Sequence, residues 1–539
     1  MPNSAKRATE QPGDFPPQAV REQLALFPPP IAAMPALSDS QSVDRALPKA
    51  QRLAALLAGD LDFHESASGY GSHALHAFAA KFPPQLPRLF IRGLTEPGDV
   101  VLDPMMGSGT AVVEAVLGGR VGLGVDMDPL ALRLSRVKTS PIDLDETRRW
   151  GNTVLRRATE MLADKVILES NLRGFFDEQT RAFVDYWFLP GTQGELWALS
   201  RAIGEVADEA QRRFLELVFS SIIVTKSGGV SLARDLAHSR PHLDKTKAPK
   251  PALEEFARRL TKSIRGLGSL AHLDCPAHVL SADARALPLA DEVVDLVVTS
   301  PPYANAIDYM RAHKFSLVWF GERIATLSEM RAQYIGAERV RDAVLADMPA
   351  HTASIIQRLT ALDPQKARVL HKYCGDMSLA LHEMHRVLRH DGVAIMVVGT
   401  STMRGLNVET HECLAELGEA AGFRLVGIAT RKLDRDRRMM PARFQTRTDS
   451  MIEQRMHEEY VIGLLKEPDL AAASRRIAPG NSCSPRRETR RSCAPRAHPV
   501  QRRAGLWPEL PVTPPPSRVC LPGKIPLHPV PDRCTHQAR

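Results

Sequence analysis

The segment of this chain with the most distinctive chemistry is Thr299-Ser300-Pro301-Pro302-Tyr303, which follows the apolar run Val293–Val298 directly. Two consecutive prolines fix the backbone and remove two N–H donors, leaving carbonyl oxygens and the Ser300 hydroxyl as acceptors beside an aromatic ring. Acceptors without donors suit an amino group that is planar, conjugated and poorly nucleophilic. Taking hydrogen bonds from both amino hydrogens draws the nitrogen towards sp3 character and aims its lone pair at a methyl donor. Tyr303 offers a face on which a base removed from its stack can lie. Two prolines in a loop mean little alone; their place at the end of a buried strand gives them weight.

A second constellation is Asp103-Pro104-Met105-Met106-Gly107-Ser108-Gly109-Thr110. Glycines at a strand-to-helix turn let the backbone approach a ligand closely, and the helix start presents free N–H groups. Asp126 ends the next apolar run, where a carboxylate can accept both hydroxyls of an adenosine ribose. A lone Gly-x-Gly is a weak signal. The whole string, set between strand and helix with an acid after the second strand, is a much stronger one.

The elements that position these residues follow from periodicity. Asp99–Asp103 reads as a buried strand, Ala111–Leu117 as a helix stopped by Gly118-Gly119, and Arg120–Asp126 as a second strand. This is the βαβ start of an α/β, doubly wound parallel sheet. From about 140 to 270 the pattern is mainly helical, as in Gly194–Ile203 and Phe214–Val224. Strands return at Ala277–Leu280 and Val293–Val298. A second helical stretch covers about 308–388, and Leu388–Gly392 reads as a turn feeding the strand Val393–Val398. Helix His411–Ala421 and strands Arg424–Ala429 and Glu459–Leu465 follow.

Residues 1–60 are rich in Pro, Ala and Gln and read mostly as a flexible arm, with one helix-like stretch, Ala46–Leu57, able to pack on the domain. The catalytic domain is expected over 61–466, and 467–539 reads as a disordered Arg/Pro-rich tail. The net charge of +8, from 70 Lys and Arg against 62 Asp and Glu, comes wholly from that tail, which holds 13 basic and 5 acidic residues. The body is formally neutral, so a nucleic-acid surface has to be a local patch. The best one lies in 225–250, where six Lys and Arg meet two Asp; it includes Arg234, Arg240, Lys245 and Lys247, with His238 beside them. A solvated basic loop explains the same run equally well. Asp308, Tyr309 and Arg311, with Asn305, follow the Pro-Pro loop closely enough to line its pocket, although Asp308 also reads as a helix N-cap. The seven cysteines contain no Cys-x-x-Cys pair, so neither a disulfide framework nor a metal site is expected. There is no signal-like apolar region and no apolar run of roughly 20 residues, which points to a cytoplasmic protein without a membrane partner.

Together, Asp103–Thr110 and Thr299–Tyr303 resemble the cofactor and catalytic motifs of the S-adenosylmethionine-dependent amino-methylating DNA methyltransferases. Other segments fall in the family's order. His76–Leu86, with Phe82 and Pro83, is similar to the stretch that packs over the methionine end of the cofactor. Ser281-Ala282-Asp283 resembles the segment whose acid contacts the adenine amino group. Met384–Val393 is similar to the helix–turn–strand that follows the catalytic loop.

The resemblance implies a Rossmann-like seven-stranded sheet closed by an antiparallel edge pair, with one or both of the 140–270 and 308–375 insertions supplying target recognition. It implies S-adenosylmethionine as cofactor, held by Phe82, Pro83, Asp103, Pro104, Gly107, Gly109, Thr110, Asp126 and Asp283. It also implies a catalytic loop Ser300–Tyr303 and double-stranded DNA with a flipped target base as partner, which would place the protein at the nucleoid. In this family a serine before Pro-Pro-Tyr favours cytosine N4, with adenine N6 left open. Carbon-5 methylation is disfavoured, because no Pro-Cys nucleophile lies near the catalytic strand. Guanine N2 in RNA, a glutamine amide in protein, and a non-enzymatic DNA-binding protein on the same fold stay as alternatives. A cognate restriction endonuclease stays open as a partner.

Overall fold

The computed structural model describes residues 43–468, except 65, 67, 79–80, 226–228, 235, 237–240, 268–274, 305–307, 338–346, 400 and 434–457. Seven strands form one sheet: β1 (Val100–Asp103), β2 (Val121–Asp126), β3 (Ala277–Ser281), β4 (Val294–Thr299), β5 (Leu388–Gly399), β6 (Phe423–Lys432) and β7 (Glu458–Lys466). Their spatial order is β3-β2-β1-β4-β5-β7-β6. The β1–β2, β2–β3, β1–β4 and β4–β5 pairs are parallel, and β7 runs antiparallel to both β5 and β6. This is the Rossmann-like sheet with the antiparallel edge pair expected for the fold. The strand order reverses between β1 and β4, and the two chemical motifs leave from the carboxyl ends of those two strands. Open α/β sheets bind ligands at that crevice.

Side chains alternate between two apolar layers, as a sheet covered on both faces requires. Leu296, Val298, Ile395, Val397, Val461 and Leu465 face one way, onto helices Lys49–Leu57, Gln85–Leu94 and Thr110–Leu117. Leu102, Val125, Val297, Met396, Val398 and Leu464 face the other, onto helices Ala350–Leu362, Pro364–Val387 and Thr410–Ala420. The helix Lys49–Leu57 packs on the domain. Leu53, Leu56 and Leu57 are buried against the edge strands, so the body begins before residue 60.

The insertions also differ from the simple pair expected. Helices between Leu144 and Ile223, with Ala252–Gly266, share one core with Met310–Leu317 and the turn after it. Trp319 and Phe315 are completely buried there, their rings edge-on or tilted to Phe188 at 5.3 and 6.2 Å. The early part of the second insertion therefore joins the first, while 350–387 covers the sheet. Leu388 also belongs to β5 rather than to a preceding turn. It pairs with Val294 before a register irregularity, and Asp391 sits there at φ +61°.

Candidate active site

The glycine loop is shaped by two left-handed residues, Gly107 at φ +46° and Gly109 at φ +71°. Any side chain is strained there. A Cβ on Gly109 would also lie 2.5 Å from Ser135 Oγ and 3.0 Å from Ser135 Cβ. The loop is held from behind by Lys138, a fully buried lysine whose Nζ donates to Ser108 O at 2.6 Å. Burial pulls its pKa well below the usual lysine range. Beneath the following helix, the buried Glu114 carboxylate accepts from Tyr70 (2.8 Å) and Arg88 (2.8 Å) and contacts His73 Nε2 at 2.8 Å.

Asp103, Pro104, Gly107, Thr110 and Asp126 line one cavity together with Phe82, Asp283, Ser300 and Pro302. Asp126 accepts the Gly107 N–H through Oδ2 and the Asp128 N–H through Oδ1, both at 2.8 Å. A carboxylate has about four acceptor positions, so one per oxygen remains for a ligand's hydroxyls. Burial, reinforced by Asp128, pushes the Asp126 carboxyl up to about 6. Asp103 is pushed by burial up to about 7, although it accepts from Thr299 Oγ1 at 2.7 Å. Two acids in one cavity, Asp103 buried and Asp126 half-buried, neither with a cation partner among the described residues, suit a positively charged ligand. The sulfonium and ammonium groups of S-adenosylmethionine are such charges, and Met105, Met106 and Ile335 give the same cavity apolar wall.

Other expected site residues are placed differently. Gly109 turns towards Ser135 and is not part of the cavity wall; Pro83 and Pro301 are buried outside it. Asp283 is at the cavity, but its carboxylate is already taken. Oδ1 accepts the Arg285 N–H (2.9 Å) and Nε (3.0 Å), and Oδ2 accepts Nε (3.0 Å) and Nη2 (2.7 Å). The side-chain acceptor expected for the adenine amino group is therefore occupied in this arrangement, for a reason visible two residues on in the sequence. Tyr303 also departs from the base-stacking expectation. Its hydroxyl donates to Glu459 at 2.9 Å and its ring lies against Gly399. Burial and the Glu459 carboxylate push its pKa well up, so it stays a phenol.

The wall opposite the glycine loop comes from the second insertion. Asp308, Tyr309 and Arg311 line the cavity as expected, and Asn305 lies outside the described residues. Asp308 does not cap the next helix; it pairs with Arg311 Nε at 2.9 Å and with Arg331. Phe78 comes from the His76–Leu86 segment, whereas Arg331 and Tyr334 were not anticipated, and no local spacing marks them. Phe78 stacks on Tyr309 with ring centres 5.2 Å apart. Asp128, which caps helix Pro129–Thr139 and contacts His313 Nδ1 at 2.8 Å, was signalled only by its Asp-Pro sequence.

A second groove, lined by Ser328, Gln365, Lys366, Asp363 and Arg404, shares Arg331 and Ala337 with the first cavity. The basic loop expected to bind DNA is less open. Lys247 Nζ turns inward to Ser231 O (2.6 Å) and Ala233 O (2.9 Å), and Arg234 pairs with Asp244 at 2.6 Å. Lys245 is exposed, and His238 and Arg240 lie outside the described residues. Cys275, Cys374 and Cys413 are free thiols, and no metal-binding cluster occurs among the described residues. None of the described helices is long and apolar enough to cross a membrane.

The sequence profile of the DNA methylase family matches residues 60–136, which span the entry segment, the glycine loop and Asp126. The chain is 24% identical over 374 residues to the Type II methyltransferase M.MvaI of Kocuria varians, covering 64% of this chain and 80% of that protein. It is 21% identical to the Type II methyltransferase M.MjaII of Methanocaldococcus jannaschii, covering 46% of this chain and 62% of that one. Against the Type II methyltransferase M.BglI of Bacillus subtilis, identity reaches 46% over 56 residues, 10% of this chain and 16% of that one. A solved TehB-like S-adenosylmethionine-dependent methyltransferase from Corynebacterium glutamicum superposes on 71% of this chain and 87% of its own. Its TM-score is 0.24 at 10% identity, too slight to add to the strand order itself. With that strand order and the two loops at its reversal, the family profile and the relatives just described support an amino-methylating DNA methyltransferase whose methyl donor is S-adenosylmethionine.

Proposed function

We propose that the chain methylates cytosine N4 at a specific sequence in double-stranded DNA. The observation that carries this reading is that Ser300 and Pro302 share one cavity wall with Asp103 and Asp126. An amino group docked at the Pro-Pro loop then faces a ligand held at the glycine loop. A neutral serine, where a carboxylate or carboxamide would favour adenine N6, supports cytosine.

When bound, S-adenosylmethionine supplies an electrophilic methyl group on a sulfonium with a neutral thioether as leaving group. The chain's own residues orient and exclude. Ser300 Oγ accepts one amino hydrogen and a backbone carbonyl of the Pro-Pro loop the other, turning the nitrogen lone pair towards the donor. Asp126 takes ribose hydroxyls, and the glycine loop offers its backbone at close range. Positioning of this kind lowers the barrier without a covalent intermediate. A target base reaches the cavity only by leaving its stack. The adjoining groove carries Lys366 with Arg404, paired to Asp363 at 2.7 Å, and Arg331, paired to Asp308, and is a candidate path for the phosphates that flank an extruded nucleotide.

The test is nucleoside analysis of double-stranded DNA incubated with the chain and a methyl-labelled donor. N4-methylcytosine is expected; N6-methyladenine as the product would overturn the base assignment, and unlabelled DNA the substrate.

A further inference from the structure

Tyr303 lies in the catalytic loop, yet the structure anchors it away from the cavity. Its hydroxyl donates to Glu459 Oε1 on β7 at 2.9 Å. The other oxygen, Glu459 Oε2, pairs with Arg431 on β6, a residue only 1% exposed. Arg431 Nε in turn donates to Leu61 O at 3.0 Å, and Asp62 Oδ1 accepts the Lys432 N–H at 2.6 Å. The contact is tight on the other side of the ring as well: a Cβ on Gly399 would come within 2.8 Å of Tyr303 Cε2, so only glycine leaves room at the end of β5. A buried arginine needs a carboxylate near it, and a buried carboxylate needs its oxygens satisfied. Glu459 meets both demands and spends its remaining acceptor on the catalytic loop.

We propose that Glu459 and Arg431 are positioning residues for methyl transfer, holding the Ser300–Tyr303 loop in register through the Tyr303 hydroxyl. This rests on the reading that Ser300 and a backbone carbonyl of the Pro-Pro loop orient the amino group. The two prolines stiffen the loop locally but do not fix its tilt relative to the sheet. The tether does so from the opposite edge of the fold. Glu459 touches neither donor nor base; it acts through Tyr303.

Tyr303→Phe deletes only the hydroxyl and keeps the ring. In steady-state methylation by the full chain, it lowers kcat about tenfold while the KM for S-adenosylmethionine stays at the wild-type value. Glu459→Gln gives a comparable loss, and the double variant is no worse than the poorer single variant. Wild-type kcat in Tyr303→Phe, or multiplicative losses in the double variant, would overturn the proposal. Hydrogen–deuterium exchange of the peptide containing 299–304, measured without DNA, separates this from the reading beneath it. Exchange there is expected to be about tenfold faster in both single variants. Unchanged exchange refutes the tether even if the wild-type chain methylates no DNA, whereas a wild-type chain that binds donor but leaves DNA unmethylated refutes the functional reading alone.

Discussion

Replacing Gly109 by alanine tests the glycine loop most sharply, because two separable costs meet at that residue. The first is conformational: Gly109 sits at φ +71°, and a left-handed residue with a Cβ costs about 1–2 kcal/mol. The second is steric. The new methyl would meet Ser135 Oγ at 2.5 Å and Ser135 Cβ at 3.0 Å. The hydroxyl can rotate away, giving up its 3.3 Å bond to Gly107 O, but the Cβ cannot move without the helix. Overpacking of that kind costs about 1–3 kcal/mol. Gly109→Ala is therefore expected to lose roughly 2–5 kcal/mol in urea unfolding, and at least about tenfold in donor affinity by calorimetry, since the loop relaxes by distorting.

Ser135→Gly removes the clashing atoms and leaves only Ser135 Cα, at 3.4 Å. It carries its own cost of about 1 kcal/mol as a helix glycine. In that background Gly109→Ala should cost only the conformational part, about 1–2 kcal/mol. A Gly109→Ala variant within roughly 0.5 kcal/mol of wild type, or one equally harmful in both backgrounds, would refute this account of the loop.

Two further outcomes follow from the site's charges. Asp103 and Asp126 titrate near 7 and 6 in the donor-free fold, above the ordinary 3.8, so the folded chain holds protons that the unfolded chain has released. Their contribution to stability is therefore present at low pH and lost as pH rises from about 4 to about 7. A cationic donor favours the ionised acids, so its affinity should rise over the same window, with proton release seen as buffer-dependent heat in calorimetry. Asp103→Asn should flatten the upper part of that rise; an unchanged profile would contradict the role given to Asp103. In the groove, Lys366→Gln with Arg404→Gln should weaken binding to all DNA sequences alike and lower the salt slope by about 2, leaving donor affinity unchanged. An unchanged slope would remove the groove from the DNA path.

How much the sequence disclosed depended on the range of the interactions. Strands ending in Asp103, Asp126 and Thr299 are local apolar runs bounded by local breakers, and they lie where periodicity puts them. The antiparallel edge pair was different. Strands β6 and β7 read as strands, but their order followed from family resemblance, because pairing across 25 intervening residues leaves no local mark. Interactions between distant side chains were the ones missed. Glu459 reaches Tyr303 across 156 residues, and Trp319 fuses the two insertions into one core. Spacing cannot show which partner a polar residue meets, which is why Lys247 and Asp283 read as free groups and proved to be engaged. The helix-like stretch before residue 60 reads as able to pack on the domain, but the sequence does not show where, since the surface it covers is formed by strands near the other end of the described chain.

The most direct test of the central claim is methylome sequencing of DNA from cells expressing the chain, by a method that separates N4-methylcytosine from N6-methyladenine. The account predicts N4-methylcytosine at one recurring sequence motif, absent when Ser300→Ala and Pro301→Ala are combined. Full methylation by that double variant, or DNA left unmodified by a folded chain that binds S-adenosylmethionine, would contradict it.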